Sequence, residues 1–149
     1  LSYMNLKSSQ KLIQKYTDKF SRLVFQKVIS SPWVPGVLNF LNDKKRDQIF
    51  AVISATPQKE LLGILKRLKI MHLFDHVYGS PNKKSESIRD IINIYNVSPK
   101  ECLMFGDAKQ DYDATMANKI NFILRAHDSN QNFRAQYYGR AIKDFNEKI

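Results

Sequence analysis

Cysteine, acidic side chains and long apolar runs are all scarce in this chain of 149 residues. One cysteine, Cys102, excludes a disulfide framework and a cysteine-built zinc cluster, and it fits a reducing compartment. No apolar run approaches the ~18 residues of a membrane span, so a soluble, cytoplasmic chain with no membrane partner is expected. No signal-peptide pattern is present, and the first residue is Leu1 rather than methionine, which points to a fragment or a processed chain. Internal repeats and low-complexity tracts are also missing. Disorder is excluded by what is there: 43% of residues are hydrophobic and 11% aromatic, and they fall in blocks.

Acids are outnumbered, 14 against 24 Lys and Arg, for a net charge of +10. Residues 1–30 hold six of the basic side chains and a single acid, Asp18. Such an excess favours anionic partners, either nucleic acid or small phosphorylated molecules. Zinc-finger spacing and RNA-binding aromatic motifs are lacking, and the lysines form no dense block, which argues against nucleic acid.

The periodicity predicts a helix or helix pair over residues 8–30, capped by Ser8 or Ser9, with Leu12, Tyr16, Phe20, Leu23, Val24 and Val28 at helical spacing. Ser31-Pro32-Trp33-Val34-Pro35-Gly36 breaks regular structure and serves as a hinge to the main domain. A short helix over 37–41 follows. The run 49–53 reads as a strand buried on both faces. Pro57 opens a helix carrying Leu61, Leu62, Leu65 and Leu68. Residues 76–78 form a brief strand, then Ile88, Ile91, Ile92 and Tyr95 mark a helix. Ser98-Pro99-Lys100-Glu101 has the form of a capping box. Strands are expected at 102–105, with Cys102 buried and inert, and at 121–124, with a helix over 111–118 between them and a short strand at 141–142. This alternation means β-α-β units and an α/β fold with a Rossmann-like parallel sheet.

Ligands of open parallel sheets bind at the carboxyl ends of the strands. Those ends carry Ser54-Ala55-Thr56, then Gly79-Ser80-Pro81 with Lys83 and Lys84, then Gly106-Asp107 with Asp111. Each has a plainer reading alone. Ser54 or Thr56 could cap the next helix, paired lysines usually sit in solvent, and Gly-Asp can be only a turn. Together and in this order they make a site for a phosphate and a divalent metal. His72, His76 and His127 are too scattered for a metal cluster, and core or surface roles are expected. Trp33 is expected to pack the hinge.

The order of VPGVLNFL, IFAVISATPQKEL, VYGSPNKKSESI and CLMFGDAKQDYDAT resembles the haloacid dehalogenase superfamily, in particular its phosphoglycolate-phosphatase-like capped phosphatases. The resemblance runs from about Ser31 to Leu124, and residues 1–30 are similar to the second half of an inserted helical cap. It implies that Ser54, beside Ala55, binds phosphate. A lysine, Lys84 as the better match or Lys83 as the alternative, steadies the phosphate and the nucleophile. Asp107 holds Mg²⁺, and Asp111 supports the metal. The Gly-Asp-x-x-x-Asp arrangement favours a phosphatase over a dehalogenase. The implied substrate is a small phosphorylated metabolite.

The family's first motif, an Asp-x-Asp at the end of the central strand, has no counterpart before Ser54, where the only acids are Asp18, Asp43 and Asp47. Asp111-Tyr112-Asp113 lies in the wrong region to replace it. The expectation is therefore a core over 31–149 lacking its first strand, with the nucleophile outside this chain and a partner strand completing the sheet. The alternative is a non-catalytic phosphate-binding scaffold that has lost its nucleophile.

Overall fold

The computed structural model describes the backbone of residues 2–148 and the side chains of residues 10–148, Asp18 excepted. Helix α1 (Ser2–Ser30) is one continuous helix rather than a pair. It already runs through Ser8 and Ser9, whose side chains lie outside the described residues. Its partly buried side carries Val24, Phe25 and Ile29, with Phe25 packed over Gly63. Of the apolar positions at helical spacing, Leu12, Tyr16, Phe20 and Leu23 are exposed. Trp33, in the hinge, is 41% exposed.

Helix α2 (Val37–Asn42) leads to strand β1 (Ala51–Pro57) and helix α3 (Gln58–Arg67). Strand β2 (His76–Ser80) and helix α4 (Lys84–Tyr95) complete a first unit. The second contains β3 (Leu103–Gly106), α5 (Lys109–Asn118), β4 (Asn121–Arg125), α6 (Gln131–Gln136) and β5 (Ala141–Ile142). The capping box at Ser98 forms, on a 3₁₀ turn: Ser98 N donates to Glu101 Oε2 at 2.9 Å. No helix among the described residues is long and apolar enough to cross a membrane.

Every strand pairing is parallel, but the sheet is in two pieces. β1 pairs only with β2, while β3, β4 and β5 form a separate three-stranded sheet. On one face α3 covers the first piece, while on the other α4 and α5 pack across both. Leu61, Leu65 and Ile70 pack against Val52 of β1 and Val77 of β2 on one face. On the other, Ile88 of α4 and Ala114 of α5 pack with Ile53 of β1 and Met104 of β3. Burying Leu61, Ile64 and Leu65, each at most 6% exposed, gives about 1.5–3 kcal/mol per side chain. The ring of Phe40 reaches both pieces, 5.6 Å from Phe50 ahead of β1 and 5.5 Å from Phe105 of β3.

This division accounts for where the structure departs from the sequence pattern. Side chains of β1 alternate toward both faces as expected, yet none is fully buried. A strand whose second edge carries no neighbour leaves its side chains half open, and Ile49 and Leu103 remain 39% and 43% exposed. β1 also runs on to Pro57, so Ser54 and Thr56 lie inside the strand, and neither caps α3. Cys102 precedes β3 rather than lying in it. It is half-buried, its thiol donates to Ser98 O at 3.6 Å, and burial raises its pKa.

Candidate active site

The carboxyl ends of the strands converge as the parallel topology requires. In the carboxyl half of β1, Ser54 Oγ donates to Thr56 Oγ1 at 3.0 Å and accepts from Thr56 N at 3.1 Å. β2 passes close by, because Gly79 has no side chain; a Cβ there would fall 2.7 Å from Thr56 O and from Gln58 Cα. Gln58 fastens the crossing, donating to Val77 O at 3.0 Å and accepting from Gly79 N.

Lys84 is the first residue of α4 and turns inward, with its side chain 20% exposed, to pair with the Asp111 carboxylate. Lys83, 77% exposed, pairs at 3.4 Å with Glu86 in solvent. Asp111 is the third residue of α5 and is 4% exposed. Its Oδ1 accepts from Lys84 Nζ, and its Oδ2 accepts from Asp107 N at 3.2 Å and Ala108 N at 3.1 Å. A carboxylate at a helix amino terminus is favoured there by the exposed N–H groups. Gly106 lets it come so near, since a Cβ at that position would lie 2.5 Å from Asp111 Cβ. Asp111 therefore shapes the loop that carries Asp107.

The Asp107 side chain is 59% exposed. Its Oδ2 faces His127 Nε2 at 3.3 Å, and Oδ1 has no hydrogen bond among the described residues. Beside Lys84 lies an open cavity of about 440 Å³, lined also by Ala55, Ser80, Asn82, Gln110 and Asp113. Thus Lys84 meets Asp111, Ala55 shares a cavity with Lys84, and Asp107 and Asp111 share a loop. Ser54 makes no hydrogen bond to Lys84 or Asp107 among the described residues, and β3, which leads to Asp107, is not a neighbour of β1.

A metal finds limited but suitable donors. No group of three or more His, Cys, Asp or Glu that could hold an ion occurs among the described residues. Asp107 Oδ1 is a hard oxygen open to solvent, whereas both Asp111 oxygens are engaged. One or two carboxylates with waters and a substrate phosphate suit Mg²⁺. His127 and Asn130, which hold Asp107, were not singled out by the sequence pattern. The rule that flagged the other strand ends, continued past β4 to Arg125-Ala126-His127, leads to them.

The chain is similar to known proteins over most of its length. The family model of haloacid dehalogenase-like hydrolases matches residues 2–125. A phosphorylated carbohydrates phosphatase of Thermotoga maritima is 27% identical over 126 residues, covering 80% of this chain; that match spans 57% of the relative's own length. A haloacid dehalogenase-like hydrolase structure from Streptococcus pneumoniae superposes with a TM-score of 0.68 at 16% identity, covering 89% of this chain and 64% of that one. A subfamily IA hydrolase of the same superfamily from Geobacter sulfurreducens gives 0.60 at 17% identity, covering 67% and 50%. The family model spans well over half of the sequence: this chain belongs to the haloacid dehalogenase-like hydrolases.

Proposed function

We propose that this chain is part of a cytoplasmic, Mg²⁺-dependent phosphatase that removes phosphate from a small phosphorylated carbohydrate. The observation that carries the reading is the inward Lys84, held against Asp111 beside the tips of β1 and β3. An ammonium fixed among polar strand ends is suited to the equatorial oxygens of a phosphoryl group. Ser54 Oγ and the neighbouring Ala55 amide would donate to the same oxygens. Asp111 would keep Lys84 aimed and hold the loop of Asp107, and Asp107 Oδ1 would hold the metal. When bound, Mg²⁺ would offset charge on the transferring phosphoryl group. The substrate class follows the similarity to the Thermotoga maritima phosphatase.

The attacking carboxylate would come from a strand outside residues 1–149, lying between β1 and β3. Each strand has one unpaired edge, and Phe40 and the α4–α5 pair contact both pieces of the sheet. Attack on phosphorus would form an aspartyl phosphate and release the carbohydrate hydroxyl, and water would then release phosphate. Residues 1–30 would belong to a cap covering the site, consistent with the exposed stripe of Leu12, Tyr16, Phe20 and Leu23.

The alternative is a scaffold that binds phosphate without turnover. The test is phosphate release from a panel of sugar phosphates by the full-length protein, with Mg²⁺ and with a chelator. Release that requires Mg²⁺ supports the phosphatase. Phosphate binding without release supports the scaffold.

A further inference from the structure

We propose that His127 is a positioning residue for Asp107, fixing its carboxylate through Oδ2 so that Oδ1 is presented to the divalent cation. The inference rests on the reading of Asp107 given above and adds a residue that reading does not contain.

His127 lies two residues past β4, and its side chain is 26% exposed. The direction of its hydrogen bonds follows from the backbone. Ser129 N donates to His127 Nδ1 at 3.2 Å, so Nδ1 is an acceptor and carries no proton. The neutral ring must then bear its proton on Nε2, and Nε2 donates to Asp107 Oδ2 at 3.3 Å. The turn that holds the ring also holds the main chain of Asp107. His127 N donates to Asn130 Oδ1 at 2.9 Å, and Asn130 Nδ2 donates to Asp107 O at 2.8 Å and to Arg125 O at 2.9 Å. One turn thus grips Asp107 at its carbonyl and at one carboxylate oxygen, while Asp111 grips its amide. Oδ1 is left without a hydrogen bond among the described residues. A carboxylate otherwise open to solvent would rotate about its side-chain bonds, and holding one oxygen removes that freedom before the cation arrives.

The test is Mn²⁺ affinity, read by the loss of the free-ion paramagnetic resonance signal, in the full-length protein at neutral pH. Four forms are compared: unaltered, Asp107→Asn, His127→Ala and His127→Gln. Asp107→Asn should weaken binding most. His127→Ala should weaken it about tenfold. His127→Gln, whose amide nitrogen can donate to the same oxygen, should recover most of that loss. Turnover by His127→Ala should return when Mg²⁺ is raised, with the substrate KM unchanged. Normal Mn²⁺ affinity in His127→Ala overturns the proposal, as does a glutamine variant no better than alanine. If Asp107→Asn itself binds Mn²⁺ normally, the assignment of Asp107 fails, and that outcome is distinct from the failure of His127 alone.

Discussion

Lys84 and Asp111 join the two pieces of the divided sheet: α4 follows β2 in the first piece, α5 follows β3 in the second, and the ion pair ties one helix to the other. Asp111 is almost wholly buried, and Lys84 is its only cation among the described residues. Removing that cation while leaving the carboxylate buried is expected to be costly. Lys84→Met should lower unfolding free energy by about 3 kcal/mol in denaturant titrations, and Lys84→Met with Asp111→Asn should lose less than the sum of the single changes. Additive losses would mean that the pair contributes no coupling.

The open edges of β1 and β3 should be visible in amide exchange. In the 149-residue chain, backbone amides of these two strands should exchange faster than those of β4, which is paired on both sides. In the full-length protein the edge amides should become as protected as β4. Equal exchange of β1 and β3 in both lengths would mean that nothing occupies the space between them.

Asp75 anchors the entry to β1. Its carboxylate accepts from Lys44 Nζ and from Phe50 N at 2.8 Å. The Lys44 hydrogen bond is the main cause that holds its pKa below the ordinary 3.8, aided by the Phe50 amide and opposed by burial. A carboxyl with a depressed folded pKa adds stability that is fully present above 3.8 and lost as pH falls through the lowered folded value. Asp75→Asn should therefore cost about 1 kcal/mol at neutral pH. In acid unfolding, the two proteins should converge as the solution is taken below 3.8. A gap that stays constant with pH would show that the carboxylate charge is not what matters.

The alternation of strands and helices was legible because local pattern and global topology agree at most positions. Val52 and Ile53 face opposite layers, as a two-sided strand demands, and the Ser98 capping box is local chemistry. The apolar stripe of α1 is legible as a stripe, but helical spacing shows only that a face is apolar, not what covers it. The burial of β1 was overestimated in the same way, since an apolar run does not reveal whether both neighbouring strands are supplied. Lys84 and Lys83 are alike in sequence and separate only in space, one turned to Asp111 and the other to Glu86. For His127 the sequence supports only a core or surface role, because its partner lies 20 residues away, in the loop after β3.

The measurement that bears most directly on the proposed chemistry is the position of the phosphoryl group during turnover. The full-length protein would be mixed with a ³²P-labelled sugar phosphate and Mg²⁺, quenched in acid and digested. The account predicts an acid-stable, hydroxylamine-labile phosphoprotein whose label maps to a peptide outside residues 1–149. It should be greatly reduced in Asp107→Asn. Label on a residue within this chain, or steady phosphate release with no phosphoprotein at any time, would contradict it.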